Sequence, residues 1–356
     1  MKAESITIYG LLHRCDCIIE LSDTPLTFVY SRNGFGKTTM LKTLVSAMKG
    51  ETGVLETLPF DRMDTKFSDG ITLIVEKRDG ITILIQKNEL EQPVDEAELR
   101  KLFRVTHITP ERQTVRRKDG HLAPAVIVYA TEFRDRIRYA KENSELKKPA
   151  EGECPEMSDG QMVSIFKDLK AKLDYMKEAG LEPDMPGSLR FPPTHRDVSN
   201  KRDEYRDLLY GLEDYINKLY TLSESVVVTI DILNNLFHRK SLIINEKDNL
   251  VFRLDSGEDL PLSALSSGEK SILIIMYRLL FQTAEGSIVI IDEPENSLHI
   301  EWQQKISDIF LDIARLRDLQ FLVATHSPQI IHDKWDMARE LRDLNAGSTD
   351  AGRRCE

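Results

Sequence analysis

The chain has 356 residues, 41% hydrophobic and 30% charged, so it holds enough apolar side chains for a buried core and enough charge to stay dispersed in water. Its formal net charge of −11 excludes a general nucleic-acid coat, although a local basic patch could still touch DNA. The length suits about two domains or one elaborate one; no apolar run reaches the roughly 18 residues of a membrane span, and Met1–Ser5 leads into alternating residues rather than a signal-peptide core, so a cytoplasmic protein without membrane contact is expected.

Residues 1–30 read as strands: Ser5–Tyr9 alternates, and Leu26–Tyr30 is a short apolar run. From Thr38 to about Met48 the spacing predicts a helix with Met40, Leu41, Leu44, Val45 and Met48 on one side. Ile71–Val75 and Ile81–Ile85 flank Asp79-Gly80 and predict a hairpin, part of an antiparallel lobe inserted after that helix. Val105–Pro110 reads as a strand stopped by proline. From about 131 to 240 the chain is charged and helical, broken near 149–155 and 183–193. One helix carries Met162, Phe166, Leu169, Leu173 and Met176; a longer one carries Tyr205, Leu209, Leu212, Ile216 and Leu219. Strand patterns return at Ser241–Ile244 and Leu250–Leu254. Strands and helices then alternate to Gln320–Ala324, which implies a parallel α/β sheet. Residues 341–356 form a polar tail. Cys15, Cys17, Cys154 and Cys355 have the spacing of neither a zinc site nor a disulfide framework, and free thiols are expected.

Three stretches carry chemistry. Ser31-Arg32-Asn33-Gly34-Phe35-Gly36-Lys37-Thr38-Thr39 follows a strand and opens a helix, as a P-loop does. Gly34 and Gly36 allow a tight turn with amide N–H groups facing one concavity, where the helix N-terminus favours phosphate. Lys37 is expected on the β- and γ-phosphates and Thr38 on Mg²⁺. Ser31 stands where the usual pattern has its first glycine. Second, the buried-strand run Ile288–Ile291 delivers Asp292 and Glu293 to the carboxyl end of a sheet, where ligands of α/β proteins bind. Asp292 is expected to hold Mg²⁺ through water and Glu293 to act as general base. Third, Leu265-Ser266-Ser267-Gly268-Glu269-Lys270 precedes an apolar helix; by physics alone it is an anion-binding or simply capped helix start.

Taken together, these residues resemble ABC-type ATPases of the SMC, RecF and OLD branch. Leu265–Lys270 looks like that branch's signature motif, Asp292–His299 its Walker B and D-loop, and Ala324-Thr325-His326-Ser327-Pro328 its switch-histidine segment. The resemblance covers roughly residues 1–60 and 240–335. It implies an α/β P-loop NTPase head with an antiparallel β-lobe and a helical insertion of short arms. The implied division is an N-terminal ATPase lobe over 1–130, the insertion over 131–240, a C-terminal ATPase lobe over 241–340 and the tail.

The same resemblance implies an enzyme that hydrolyses ATP to ADP and phosphate with Mg²⁺. Arg32 through Thr39 would cradle the nucleotide, while Ser266, Gly268 and Glu269 would close over it from a second copy. His326 would join Glu293 in catalysis, and Gln113, at the junction of the lobes, would join Thr38 and Asp292 around the metal. Arg14 could approach the nucleotide. Arg116-Arg117-Lys118 reads as a solvated loop or a DNA-phosphate contact.

Such compact heads resemble the ATPase components of bacterial anti-phage systems, among them PARIS, Septu and retron-linked ATPases. This implies a homodimer or larger homo-oligomer acting as sensor or scaffold for a separate nuclease or toxin, with DNA a possible ligand. The alternative is a RecF-like repair ATPase that binds DNA junctions.

Overall fold

The computed structural model describes residues 1–116, 120–149 and 157–344. Among these, Cys15 and Cys17 are free thiols; Cys154 and Cys355, Arg117 and Lys118, and the tail from 345 lie outside them. No described helix is long and apolar enough to cross a membrane. The chain divides into two compact units, Met1–Arg112 with the chain from Ser267 onward, and Gln113–Ser266.

In the first unit, five strands form a parallel sheet in the order Ala338–Glu340, Leu26–Tyr30, Gln320–Ala324, Ile288–Asp292, Val105–Ile108. The apolar runs at 26–30, 288–292 and 320–324 suit it, because a strand covered on both faces has no polar side to alternate with. Ile288–Asp292 and Gln320–Ala324 are buried at every residue. A seven-stranded antiparallel sheet runs Arg342–Asp343, Cys15–Glu20, Ala3–Leu11, Arg62–Phe67, Ile71–Lys77, Ile81–Lys87, Leu90–Pro93. The hairpin expected around Asp79-Gly80 forms, with Lys77 opposite Ile81. The lobe starts earlier than the sequence suggests, however. Ala3–Leu11 is one of its inner strands, with Ile6 opposite Ile19 on one side and Thr65 on the other.

Helix Lys37–Lys49 shares one core with both sheets, which explains its composition. Met40, Leu41, Leu44, Val45 and Met48 are buried as the spacing predicts, but so are Thr43, Ser46 and Ala47. A helix covered on nearly every side cannot announce all its contacts by a one-sided stripe.

In the second unit, Arg202–Leu236 is one unbroken helix of 35 residues, about 52 Å long. It lies beside Asp159–Glu178, whose start is fixed by a Ser158–Gln161 capping box. The two run in the same direction: Phe166 meets Tyr205 at 5.8 Å and Tyr175 meets Tyr220 at 5.9 Å between ring centroids. Residues 179–201 bring the chain back. Gly211 lets residues 146–147 lie against the long helix, since a Cβ there would sit 2.8 Å from the Lys147 carbonyl oxygen. Helix begins at Ala125, six residues before the expected change in texture.

The strands Lys240–Ile244 and Leu250–Leu254, expected to open the C-terminal lobe, instead pair antiparallel with each other and with Asp259–Leu260. Asn234 fastens them to the long helix, its Oδ1 accepting the Leu242 N–H at 2.6 Å. The compact units therefore change over at 112/113 and 266/267 rather than at 130 and 240.

His107, on the strand beside Ile288–Asp292, is a buried acid-sensitive point. Burial pushes its imidazole down from 6.5 to about 4; Lys49, Arg278 and Lys42 add to this and Glu111 opposes it. Its Nε2 has no hydrogen-bond partner among the described residues. Between the two pKa values the unfolded chain binds more protons than the folded one. Stability is therefore present above about pH 6.5 and is lost as pH falls toward 4, by about 3 kcal/mol at the limit. Denaturant unfolding at pH 7 and pH 4.5 should show a loss that shrinks in His107→Gln. An identical loss in both proteins would place the acid sensitivity elsewhere.

Candidate active site

A cleft of about 670 Å³ opens at the carboxyl end of the parallel sheet, lined by Asn33–Thr39 on one side and Glu293, Glu295, Asn296, His326 and Ser327 on the other, with Leu12 at its edge. Of the residues expected to act within one chain, this lining brings together Asn33–Thr39, Glu293 and His326 from three separate stretches; Arg32, Asp292 and Gln113 are not part of it. Gly34 and Gly36 have φ of 76° and 99°, the left-handed region that side chains avoid. Gly36 has a second reason: a Cβ there would come within 2.9 Å of the Leu11 side chain. Arg32 is exposed, and its carbonyl oxygen accepts the Phe35 N–H at 3.3 Å.

Lys37 is 5% exposed. Its Nζ donates to the Ser31 carbonyl at 3.2 Å and to Ser31 Oγ at 3.1 Å, and stands 3.3 Å from His326 Nδ1. The serine that replaces the usual glycine therefore supplies a hydroxyl to the lysine. Burial lowers the lysine pKa, while Asp292, Glu293 and Glu295 oppose the shift. The other ring nitrogen of His326, Nε2, lies 3.7 Å from Glu293 Oε1.

Asp292 is 2% exposed; burial raises its pKa, and a hydrogen bond from the Thr38 hydroxyl lowers it in part. Its Oδ1 is buried without a partner among the described residues. A carboxylate oxygen left bare beside a threonine hydroxyl suits a hydrated divalent cation, so Asp292 and Thr38 fit Mg²⁺. Gln113 and Ser266 belong to the second unit, where the Gln113 carbonyl oxygen accepts the Ala125 N–H at 2.8 Å. Arg14 is exposed in the turn after Leu11, its N–H donating to the Leu11 carbonyl oxygen at 3.1 Å.

Gly268 and Glu269 lie in the first turn of helix Ser267–Tyr277. Within its own chain Gly268 has a packing reason that the motif did not reveal. A Cβ on it would lie 2.4 Å from the Ser297 carbonyl oxygen, so the helix start is pressed against the turn that follows Glu293.

That turn holds the residues sequence reasoning passed over. Glu293 has φ 48° and Ser297 φ 70°, both left-handed. Glu293 Oε2 accepts from Asn296 Nδ2 at 2.9 Å. Glu295 reaches across to the neighbouring strand end, where its Oε1 accepts from Thr325 Oγ1 at 2.8 Å, the His326 N–H at 2.7 Å and the Ser327 N–H at 3.2 Å. Beneath lies Arg112, 4% exposed, its guanidinium donating to the carbonyl oxygens of Glu293 at 3.5 Å, Pro294 at 3.0 Å and Asn296 at 3.1 Å. Burial pushes Arg112 down to about 10, with Glu295 opposing. The crowding of acid after the strand, Asp292-Glu293-Pro294-Glu295, was the available signal for Glu295; for Arg112 there was none.

Residues 164–332 match the family model described as "AAA domain, putative AbiEii toxin, Type IV TA system". The match takes in residues 266–269, 292–293 and 326, and stops short of the 31–39 loop. "Retron Ec83 probable ATPase" from Escherichia coli is 26% identical over 147 residues, which are 36% of this chain and 26% of that protein. The match therefore spans about a quarter of that relative's length. Among solved structures, an SMC head bound to the C-terminal winged-helix domain of ScpA aligns with a TM-score of 0.51 at 10% identity, over 98% of this chain and 99% of that one. The SMC head domain from Thermotoga maritima aligns with a TM-score of 0.46 at 14% identity, over 95% and 92%. The fold is that of an SMC-type P-loop head, with an antiparallel lobe and a helical insertion.

Proposed function

We propose that this chain binds and hydrolyses ATP, that two copies close around the nucleotide, and that closure is passed to a separate effector protein. The observation that carries the reading is the cleft, which gathers a phosphate cradle, a buried Lys37, Glu293 and His326, with Thr38 hydrogen-bonded to Asp292.

The chemistry follows from these positions. Amides of Asn33–Thr39 and Lys37 hold the β- and γ-phosphates. Thr38 and Asp292 would hold Mg²⁺, which would supply neutralisation of the phosphate charge there. Glu293 takes the proton of the attacking water, and His326, between Lys37 and Glu293, hydrogen-bonds on the γ-phosphate side. Ser266, Gly268 and Glu269 close over the nucleotide of a second copy. The retron relative and the toxin–antitoxin description of the matching family support a defence role, with a toxin or nuclease as the effector.

The test is the mass in solution of Glu293→Gln protein with and without Mg-ATP, then with duplex DNA added. Growth to a dimer or larger ring on ATP is expected. A mass indifferent to ATP would overturn the closing model, and assembly that requires DNA would move the reading to a RecF-like one.

A further inference from the structure

We propose that Arg112 is a positioning residue for hydrolysis, locking the turn 293–297 so that Glu293 faces the attacking water. The proposal rests on the ATPase reading above and assigns a task to a residue outside the motifs.

The turn needs an external lock. Its two left-handed residues, Glu293 and Ser297, each sit where the backbone of a non-glycine residue is disfavoured by about 1–2 kcal/mol. The direction of the Glu293 side chain is set by that backbone state. If residue 293 relaxed to an extended conformation, its Cβ would turn away and carry the carboxylate out of the cleft. Carbonyl oxygens at 293, 294 and 296 all approach the buried Arg112 guanidinium; that of Glu293 also accepts the Asn296 N–H at 3.2 Å, and that of Pro294 is bonded in a buried position, where a donor is needed. Arg112 supplies donors to all three from a single planar fork. A lysine ammonium is a point charge and cannot span the same three oxygens.

The place of Arg112 in the chain adds meaning to this. It is the last residue of the first unit; the chain leaves for the second unit at Gln113 and returns at Ser267. Gly268, just after the return, is pressed against the Ser297 carbonyl of the same turn. Arg112 and Gly268, both in the first unit, therefore lie against the turn that carries Glu293.

The experiment uses the full chain with Arg112→Lys, and Arg112→Gln as a second, shorter variant that is polar without charge. Turnover should fall about 10–100-fold, the scale of misplacing a reacting group by about 1 Å, while the Kd for Mg-ATP stays within about threefold of the parent. Combined with Glu293→Gln, either substitution should cost less than about twofold more, because it acts through that carboxylate. Hydrogen exchange at the Asn296 and Leu298 amides, which bond within the turn, should quicken while exchange in Ile288–Asp292 holds.

Parental turnover in both variants, losses that multiply in the double variant, or unchanged exchange at 296 and 298 would each overturn the assignment. The parent run alongside separates the two readings. If it hydrolyses ATP and the Arg112 variants match it, only this proposal fails; if it hydrolyses none, the ATPase reading fails and takes this proposal with it.

Discussion

Glu293→Gln is expected to bind Mg-ATP with nearly parental affinity and to hydrolyse it about 10²–10⁴ times more slowly, the usual worth of a general base. The substitution preserves shape, and the amide can still accept the 2.9 Å hydrogen bond from Asn296. It cannot take a proton from water. The backbone lock is untouched, because Arg112 and the Ala324 carbonyl hold main-chain atoms of residue 293. The loss should therefore fall on the chemical step, about 3–5 kcal/mol of barrier, and single-turnover hydrolysis with equilibrium nucleotide binding separates it from a binding defect. A parental rate in this variant would remove Glu293 from the base role and direct attention to Glu295, the other glutamate lining the cleft.

Lys37→Ala is expected to abolish useful nucleotide binding while leaving the fold intact. The ammonium faces Asp292, Glu293 and Glu295, and without it less positive charge offsets their repulsion of a triphosphate. Losing two charge-assisted hydrogen bonds at about 1.5–3 kcal/mol each corresponds to an affinity loss of about 10²–10⁴. The unliganded protein should not suffer, since burial already disfavours the charged lysine and its removal relieves that cost. The expected pair of results is a melting temperature for Lys37→Ala at or above that of the parent, and no upward shift on adding Mg-ATP where the parent shifts. A normal nucleotide-induced shift would show that Lys37 does not hold phosphate.

The in-chain part of the site was legible because its chemistry is written in contiguous runs. A glycine-rich turn before a helix, an acidic pair at the end of a buried strand and a histidine after another strand each carry their own geometric reason. Five parallel strands then bring their ends to one place. What links these runs was not legible. Glu295 acts on residues 325–327, and Arg112 on carbonyl oxygens more than 180 positions away. Backbone carbonyl acceptors leave no trace in residue type, so no pattern along the chain could name them.

The sequence by itself determined the order of the strands and helices, the glycine-rich loop before its helix and the acidic strand end, since each depends on neighbours within a few residues. Only the tertiary structure decided that Ala3–Leu11 is an inner strand of the antiparallel lobe, and that Lys240–Ile244 and Leu250–Leu254 pair with each other instead of extending the parallel sheet. It also decided that helices Asp159–Glu178 and Arg202–Leu236 lie side by side in the same direction. The physical reason is common to all three. An amphipathic period states that a face will be buried, and the partner that buries it is chosen by long-range complementarity, which the local pattern does not contain.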